Sequence, residues 1–292
     1  YQYDFDGDGS DEYMLSNKFI NIYVKPGSSG TVFGLDNRTR ALNLMNTMRR
    51  KKEPYHSKVV KRSAVNLRSI RDNISSDKYH SIYDIIGLKT RGLKKYLVYD
   101  EYLKSSFIDY FSKNKFTLRD FSGARYDALH RISSHPYRVR SAESDRGLTV
   151  VMEKEEAIDS AGVKRMLNIT KDIGLAEGPE FYVRYVFENL SGGEFSSEFF
   201  TECNLSVFNR AYLRDRAVRN IKDFRIKDEW SGSETILGFS RPVDIWTVPV
   251  YTINESEAGI DRQYQSLGIM ITLPVKMLPG EKKDLKVNIK LG

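Results

Sequence analysis

The stretch Phe181-Tyr-Val-Arg-Tyr-Val-Phe187 consists of aromatic and β-branched residues around one arginine. Such residues suit a pleated surface that is half buried, and a sheet with solvent on one face explains the alternation of apolar and polar positions. The stretch therefore predicts a strand of an antiparallel sheet.

Further strand candidates follow one another from about residue 135 to the end of the chain. They lie at 137–140, 148–153, 163–173, 180–189, 197–209, 234–239, 243–253, 266–274 and 282–291, with turn residues such as Pro279-Gly280-Glu281 between them. Residues 12–36 add a hairpin on either side of Pro26-Gly27-Ser28-Ser29-Gly30. Many strands and few short helices predict an all-β protein, a large antiparallel β-sandwich.

The 292 residues show no internal repeat, low-complexity tract or linker, so the sequence predicts a single domain. Residues 49–95 show no clear strand or helix period, and we interpret them as an irregular insertion. A long polar segment of this kind is often functional or packs on another domain. The chain begins at Tyr1 rather than Met, and we expect it to be a C-terminal fragment of a longer protein.

Composition narrows the class of function. The net charge of +7 permits nucleic acid or an anionic surface as a partner, but the basic clusters are dispersed between strands, which favours solvated loops. No stretch approaches the roughly 18 apolar residues of a membrane span. The single cysteine, Cys203, excludes an internal disulfide, and its alternating surroundings indicate a buried structural thiol.

The acidic stretch at residues 1–12 predicts a metal-binding loop. Carboxylates at alternate positions, a glycine in the turn and a late glutamate are typical of a loop around a hard cation, and calcium takes six to eight oxygen ligands. The predicted ligands are Asp4, Asp6, Asp8, the carbonyl of Ser10, and Glu12. The alternative is a solvated acidic turn that binds nothing specific.

Several stretches together resemble one known family. They are 4–12, 17–26, 35–36, 41–47, 55–56, 96–102, 106–111, 245–259 and 264–265, and they include Asn17-Lys-Phe-Ile-Asn-Ile-Tyr-Val-Lys-Pro26 and Tyr96-Leu-Val-Tyr-Asp-Glu-Tyr102. In matching order over nearly the whole chain, they are similar to the C-terminal β-sandwich of glycoside hydrolase family 57 α-amylases and 4-α-glucanotransferases. The sequence departs from that family at Tyr83, where a histidine is common, and around Cys203.

The resemblance implies a galactose-mutarotase-like supersandwich that follows an N-terminal catalytic barrel. It also implies that the barrel carries the catalytic carboxylates; we therefore expect no catalytic residue in this chain and no activity from it alone. Retaining glycoside hydrolysis needs two carboxyl groups about 5–5.5 Å apart, and nothing in the sequence singles out such a pair. Whether the parent is a hydrolase or a glucanotransferase is left open.

We expect the sandwich to help shape a glucan cleft, with an α-glucan or maltooligosaccharide as its ligand. Aromatic rings can stack on sugar faces and carboxylates can accept hydrogen bonds from sugar hydroxyls. The predicted carbohydrate-binding residues are Tyr55, His56, Tyr83, Asp84, Trp230, Glu255 and Glu257. For Glu255 and Glu257 the alternative is a salt bridge to Arg262, and for the residues of 49–95 it is capping of the fold or contact between domains.

Two other functions stay open: a purely structural interaction module without a sugar site, and a basic nucleic-acid binder, which the dispersed charge makes the weaker hypothesis. The absence of disulfides favours the cytoplasm over secretion, whereas a calcium loop of modest affinity fits compartments where calcium is millimolar. In the context of the family, calcium would stabilise the start of the sandwich and take no part in chemistry.

Overall fold

The computed structural model describes residues 1–63, 92–132, 136–160, 162–257 and 259–292, apart from 142–147. Its first element is a small antiparallel sheet whose strands follow chain order. They are β1 (Gln2–Tyr3), β2 (Glu12–Ser16), β3 (Ile20–Lys25), β4 (Thr31–Asn37) and β5 (Leu42–Asn43). Every second side chain of β3 is buried, as the period of two in a strand requires.

A second sheet contains the remaining eleven strands of the described residues. They are β6 (Ile108–Ser112), β7 (Leu129–Arg131), β8 (Arg138–Ser141), β9 (Thr149–Ser160), β10 (Val163–Leu175), β11 (Glu180–Asn189), β12 (Phe195–Leu205), β13 (Arg216–Lys227), β14 (Glu234–Ser256), β15 (Gly259–Met277) and β16 (Lys282–Leu291). Their order is β7-β6-β12-β15-β14-β16-β11-β10-β9-β8, and β13 pairs with β14. Short helices are α1 (His56–Ser63), α2 (Leu118–Ser122) and 3-10 turns at Pro26–Ser28, Leu93–Tyr96 and Arg210–Tyr212.

The hydrophobic core joins the inner faces of the two sheets. Ile22 and Val24 of β3 belong to the same buried cluster as Val183, Tyr185 and Phe187 of β11. The alternating pattern that predicts a strand at 181–187 thus supplies one wall of this core. The prediction of a large antiparallel β-sandwich is confirmed.

Two long strands, β13 and β14, show clearly how the structure departs from the sequence-based expectation. The sequence does not predict β13, because apolar and polar residues do not alternate along most of it. Only its Phe224 and Ile226 are buried. The segment forms a strand because it pairs with β14. The separate strands predicted at 234–239 and 243–253 form one strand that contains Pro242. The register of β13 shifts opposite this part of β14, and an irregularity of this kind accommodates a residue that has no N–H to donate.

The packing of the chain divides into two compact units. The first unit consists of 1–47, 104–249 and 266–292, and holds the core described above. The second unit consists of 48–103 and 250–265, so it combines α1 with the end of β14 and the start of β15. No helix in the described part of the chain is long and apolar enough to cross a membrane.

Candidate functional site

A cavity of about 110 Å³ opens in the second unit, where the segments 48–56, 96–99 and 251–254 meet. Its lining is rich in rings: Tyr55, His56, Tyr96, Tyr99 and Tyr251 all contribute. Pockets for drug-sized ligands usually measure roughly 300–1,000 Å³. A cavity of this size therefore suits a partial surface contact with a ligand rather than its enclosure.

His56 fixes part of the cavity wall. Its Nδ1 accepts a hydrogen bond from the backbone N–H of Glu53 at 3.1 Å, so the ring proton belongs on Nε2, which lies 3.4 Å from the carbonyl oxygen of Ile253. The hydroxyl of Tyr99 lies 3.2 Å from the same Nδ1, and the two rings stack with centroids 5.6 Å apart. Because His56 is buried and both its nitrogens are engaged, it holds Tyr99 in position, and its contact with a sugar stays a prediction.

A buried ion pair holds the neighbouring backbone. Arg50 donates to both carboxylate oxygens of Asp100, from Nε at 2.9 Å and from a terminal nitrogen at 2.6 Å. Bidentate pairs of this kind add geometric specificity to their energy. Tyr55 is anchored as well, since its hydroxyl donates to the carbonyl of Ile253 at 2.9 Å.

The other wall is a cluster of tyrosines around one guanidinium group. Arg262 lies 4.7 Å from the ring centroid of Tyr96 and 5.0 Å from that of Tyr251, within the range of a cation–π contact. It also hydrogen-bonds the hydroxyl of Tyr96. Tyr251 contacts Tyr96 and Tyr264 edge-on, with centroids 5.2 and 5.8 Å apart. The cluster offers ring surface beside an exposed donor group.

The structure brings four of the predicted sugar-binding residues into the second unit: Tyr55, His56, Glu255 and Glu257. Glu255 forms a salt bridge with Lys58 at 2.6 Å, and Glu257 is exposed in the turn after β14. Tyr83 and Asp84 lie outside the described residues. Trp230 belongs to the first unit, where it is exposed to solvent.

Sequence reasoning missed Tyr96, Tyr99, Tyr251 and Arg262 as lining or flanking residues of this cavity. The segment that holds Tyr96 and Tyr99 resembles the family, but nothing local in the sequence places its rings beside Tyr251 and Arg262. Only the meeting of three distant segments shows that they share one surface.

The acidic loop at the start of the chain folds around Asp4. Its carboxylate accepts backbone hydrogen bonds from Gly7 at 2.8 Å, Asp8 at 3.1 Å and Gly9 at 3.0 Å. Gly7 and Gly9 have φ of 71° and 87°, a conformation that glycine adopts readily. This turn brings carboxylate oxygens of Asp4, Asp6 and Asp8 within 4.8 Å of one another. Ser10 closes the loop by donating its N–H to Asp8.

The ammonium group of Lys25 lies among these carboxylates. Its Nζ is 2.5 Å from Asp6, 2.7 Å from Asp8 and 2.9 Å from Glu12, which is fully buried. Burial lowers the pKa of Lys25, but the hydrogen bonds to Asp6, Asp8 and Glu12 outweigh it and raise that pKa above its ordinary value. The hydrogen bond from Lys25 also lowers the pKa of Asp8. Three of the five predicted calcium ligands thus face a positive charge that the chain itself supplies.

Comparison with solved structures places this fold. A 4-alpha-glucanotransferase from Thermococcus litoralis superposes with a TM-score of 0.76 at 22% identity, over 99% of this chain and 39% of that one. A galactose mutarotase-like protein from Clostridium acetobutylicum gives a TM-score of 0.52 at 9% identity, over 97% of this chain and 95% of that one. These likenesses show the fold, and they confirm the galactose-mutarotase-like sandwich predicted from the sequence.

Comparison of sequences finds relatives with the same kind of name as the first of these structures. The chain is 26% identical to an alpha-amylase from Pyrococcus abyssi over 272 residues, which is 93% of this chain and 38% of the relative. It is 26% identical to alpha-amylase 1 of Dictyoglomus thermophilum over 292 residues, 94% of this chain and 40% of the relative. The chain therefore spans about two fifths of the length of these relatives. The model of the family described as alpha-amylase/4-alpha-glucanotransferase, C-terminal, matches residues 4–289, and the chain belongs to that family of C-terminal domains.

Proposed function

We propose that this chain is the non-catalytic, carbohydrate-associated β-sandwich of an α-glucan-processing enzyme of glycoside hydrolase family 57. The single observation that carries the proposal is the tyrosine-lined cavity of the second unit, in a chain whose relatives are named alpha-amylases and 4-alpha-glucanotransferases. Its ligand is an α-glucan or maltooligosaccharide, which the second unit contacts along part of its length.

The chemistry of the cavity supports a neutral sugar. Tyrosine rings offer flat apolar faces with a polar edge, and sugars present C–H faces surrounded by hydroxyl groups. Tyr99 has its hydroxyl directed to His56, so its ring is held in place while the residue remains 37% exposed. The guanidinium of Arg262 provides donors for sugar hydroxyls beside the rings of Tyr96 and Tyr251.

The catalytic groups belong to a barrel in the remaining part of the parent protein. Relatives of which this chain covers 38–40% have room for such a domain. The carboxylates buried in the first unit serve the fold instead: Glu202 and Asp109 are inaccessible and pair with Lys104 and Lys171. The choice between hydrolysis and transfer then rests with the barrel.

Calcium is a second component of the proposal. The loop fits one cation, as the convergence of Asp4, Asp6 and Asp8 indicates, and Lys25 supplies a positive charge at the same place. Calcium, when bound, would be held by Asp4, Asp6, Asp8 and Glu12, and would compete with the ammonium of Lys25. It would stabilise the start of the sandwich and contribute nothing to the chemistry of the glucan.

Binding of maltoheptaose to this chain tests the proposal, and calorimetry is the measurement. An exposed aromatic contact contributes about 0.5–1.5 kcal/mol, so we expect Tyr99→Ala to raise the Kd by about two- to tenfold. The matched control is Tyr1→Ala, which removes another exposed tyrosine from the first unit and should leave the Kd unchanged.

Incubation of the chain with maltoheptaose should release no reducing ends. Wild-type chain that gives no binding heat with maltoheptaose would favour a purely structural module. Equal loss of affinity in Tyr99→Ala and Tyr1→Ala would remove the cavity from the proposal.

A further inference from the structure

Trp230 is the more exposed of the two tryptophans, with a relative accessibility of 82% for the residue. Single exposed apolar residues are normal on proteins and need no explanation by themselves. What distinguishes Trp230 is the backbone that carries it. The residues 228–233 form a closed loop between β13 and β14.

The loop is locked from inside by Asp228, which is buried. Its carboxylate accepts hydrogen bonds from the backbone N–H of Trp230 at 3.0 Å, the hydroxyl of Ser231 at 2.7 Å and the N–H of Phe208 at 3.2 Å. Its own N–H donates to the carbonyl of Ser233 at 2.8 Å. A charged group that satisfies this many backbone partners stabilises one loop conformation, so the indole is held on a rigid base.

The same loop is attached to the segment at 208–210. The N–H of Glu229 donates to the carbonyl of Phe208 at 2.8 Å, and the N–H of Arg210 donates to the carboxylate of Glu229 at 3.2 Å. The guanidinium of Arg210 lies 3.7 Å from that carboxylate, and both side chains are accessible. An exposed aromatic ring on a fixed backbone is therefore accompanied in the chain by one exposed acceptor and one exposed donor group. The cost of ordering the loop backbone, which would weaken binding, is already met in such an arrangement.

We propose that Trp230, Glu229 and Arg210 form a surface site for a pyranose ring of an α-glucan. The indole covers the C–H face of the sugar, Glu229 accepts hydrogen bonds from its hydroxyls, and Arg210 donates to its oxygens. None of these residues lines the cavity of the second unit. The choice of an α-glucan rests on the proposed function, whereas the assignment of a ligand site to this loop rests on its own geometry.

Other ligand classes fit these side chains less well. A protein hot spot is typically enclosed by neighbours that exclude water, whereas the residues next to Trp230 in the loop are polar. Single-stranded nucleic acid also stacks on aromatic rings, but it needs a positively charged groove for its phosphates. The carboxylate of Glu229 would repel phosphates, whereas it can accept hydrogen bonds from the hydroxyls of a neutral sugar.

Protection of the indole tests the site directly. We expect maltoheptaose to shield Trp230 from quenching by iodide in the wild-type chain and in Tyr99→Ala. In Trp230→Ala, adsorption to insoluble starch should fall at least threefold, and Trp230→Phe should retain part of it because a smaller ring remains. Leu278→Ala, which also removes an exposed apolar side chain of the first unit, is the matched control and should adsorb like wild type. The Trp230 and Leu278 variants should keep the Tm of the wild type, because both side chains are exposed.

Three other results would overturn the proposed site, and each points to a different conclusion. Absence of shielding, with weaker binding in Tyr99→Ala, removes this site and leaves the proposed function intact. Shielding by oligothymidylate but not by maltoheptaose, lost as salt rises, assigns the loop to nucleic acid instead. A chain that binds neither maltoheptaose nor starch refutes both proposals.

Discussion

Lys25 shows how one residue changes the meaning of a motif. The acidic loop has the composition of a calcium site, yet the ammonium of a residue 13 positions beyond Glu12 lies against Asp6, Asp8 and Glu12. Burying an unpaired carboxylate costs free energy, and the ion pair with Lys25 lowers that cost for the buried Glu12. Two cations, the ammonium of Lys25 and calcium, are therefore candidates for this loop. A substitution of Lys25 distinguishes their contributions.

Replacing Lys25 with Met should lower the free energy of unfolding by about 1–3 kcal/mol, because it leaves the buried Glu12 without its cationic partner. Urea unfolding measures this. Calcium should restore stability in Lys25→Met more than in wild type, since ligand that binds only the native state stabilises it by mass action. Equal calcium response in the two proteins would contradict competition, and no response in either would count against calcium altogether.

Glu156 provides a prediction of pH dependence. Burial raises the pKa of its carboxyl, but hydrogen bonds from His130 at 3.0 Å and from Lys154 at 2.8 Å prevail and lower that pKa to about 2. Because the folded-state pKa lies below the ordinary value of 4.5, the stabilisation is present above pH 4.5 and is lost as the pH falls toward 2.

Glu156→Gln should therefore cost about 1–2 kcal/mol at pH 7. The difference in the free energy of unfolding between wild type and variant should shrink as the pH falls from 5 to 2. Chemical denaturation at each pH measures this difference. A difference that stays constant would contradict the role given to this carboxylate.

Among elements, the strands β6, β10 and β11 are tied together by a polar link inside an apolar core. Lys171 of β10 donates to Asp109 of β6 at 2.7 Å and to the carbonyl of Ser29, next to the small sheet, at 3.3 Å. The hydroxyl of Tyr185 on β11 donates to the other oxygen of Asp109 at 2.8 Å. This link fixes which strands face one another, which apolar packing alone specifies less sharply.

Lys171→Met should destabilise the protein by about 3–5 kcal/mol, because it leaves the carboxylate of Asp109 buried and unpaired. The double variant Asp109→Asn with Lys171→Met should recover at least half of that loss, since the uncompensated charge is gone. Thermal or urea unfolding of the wild type, the two single variants and the double variant gives the comparison. Losses that simply add would show that the two side chains do not act as a pair.

At the scale of the whole molecule, the net charge of +7 is consistent with roles of the basic side chains within the fold, without a nucleic-acid partner. Many basic side chains of the described residues pair with carboxylates, as Lys25, Lys104 and Lys171 do in buried or half-buried positions. Others lie on β13, where basic groups along a strand edge discourage pairing with another chain.

We expect the chain to elute from single-stranded DNA at or below about 150 mM salt, because phosphate contacts are lost steeply with ionic strength. Retention well above that concentration would revive the nucleic-acid hypothesis. An acidic protein of similar size serves as the control for the matrix.

The sequence alone determined the sandwich, because alternation such as that of 181–187 is set locally by which face of a strand is buried. It also determined the acidic loop, the buried Cys203 and the family, whose resemblance extends over nearly all of the chain. The tertiary structure decided what depends on residues far apart. β13 became a strand through pairing with β14, Lys25 came to lie in the acidic loop, and Tyr99 and Arg262 joined Tyr55 and His56 in the second unit. These contacts leave no periodic trace in the sequence, because folding brings their partners together from positions with no fixed spacing.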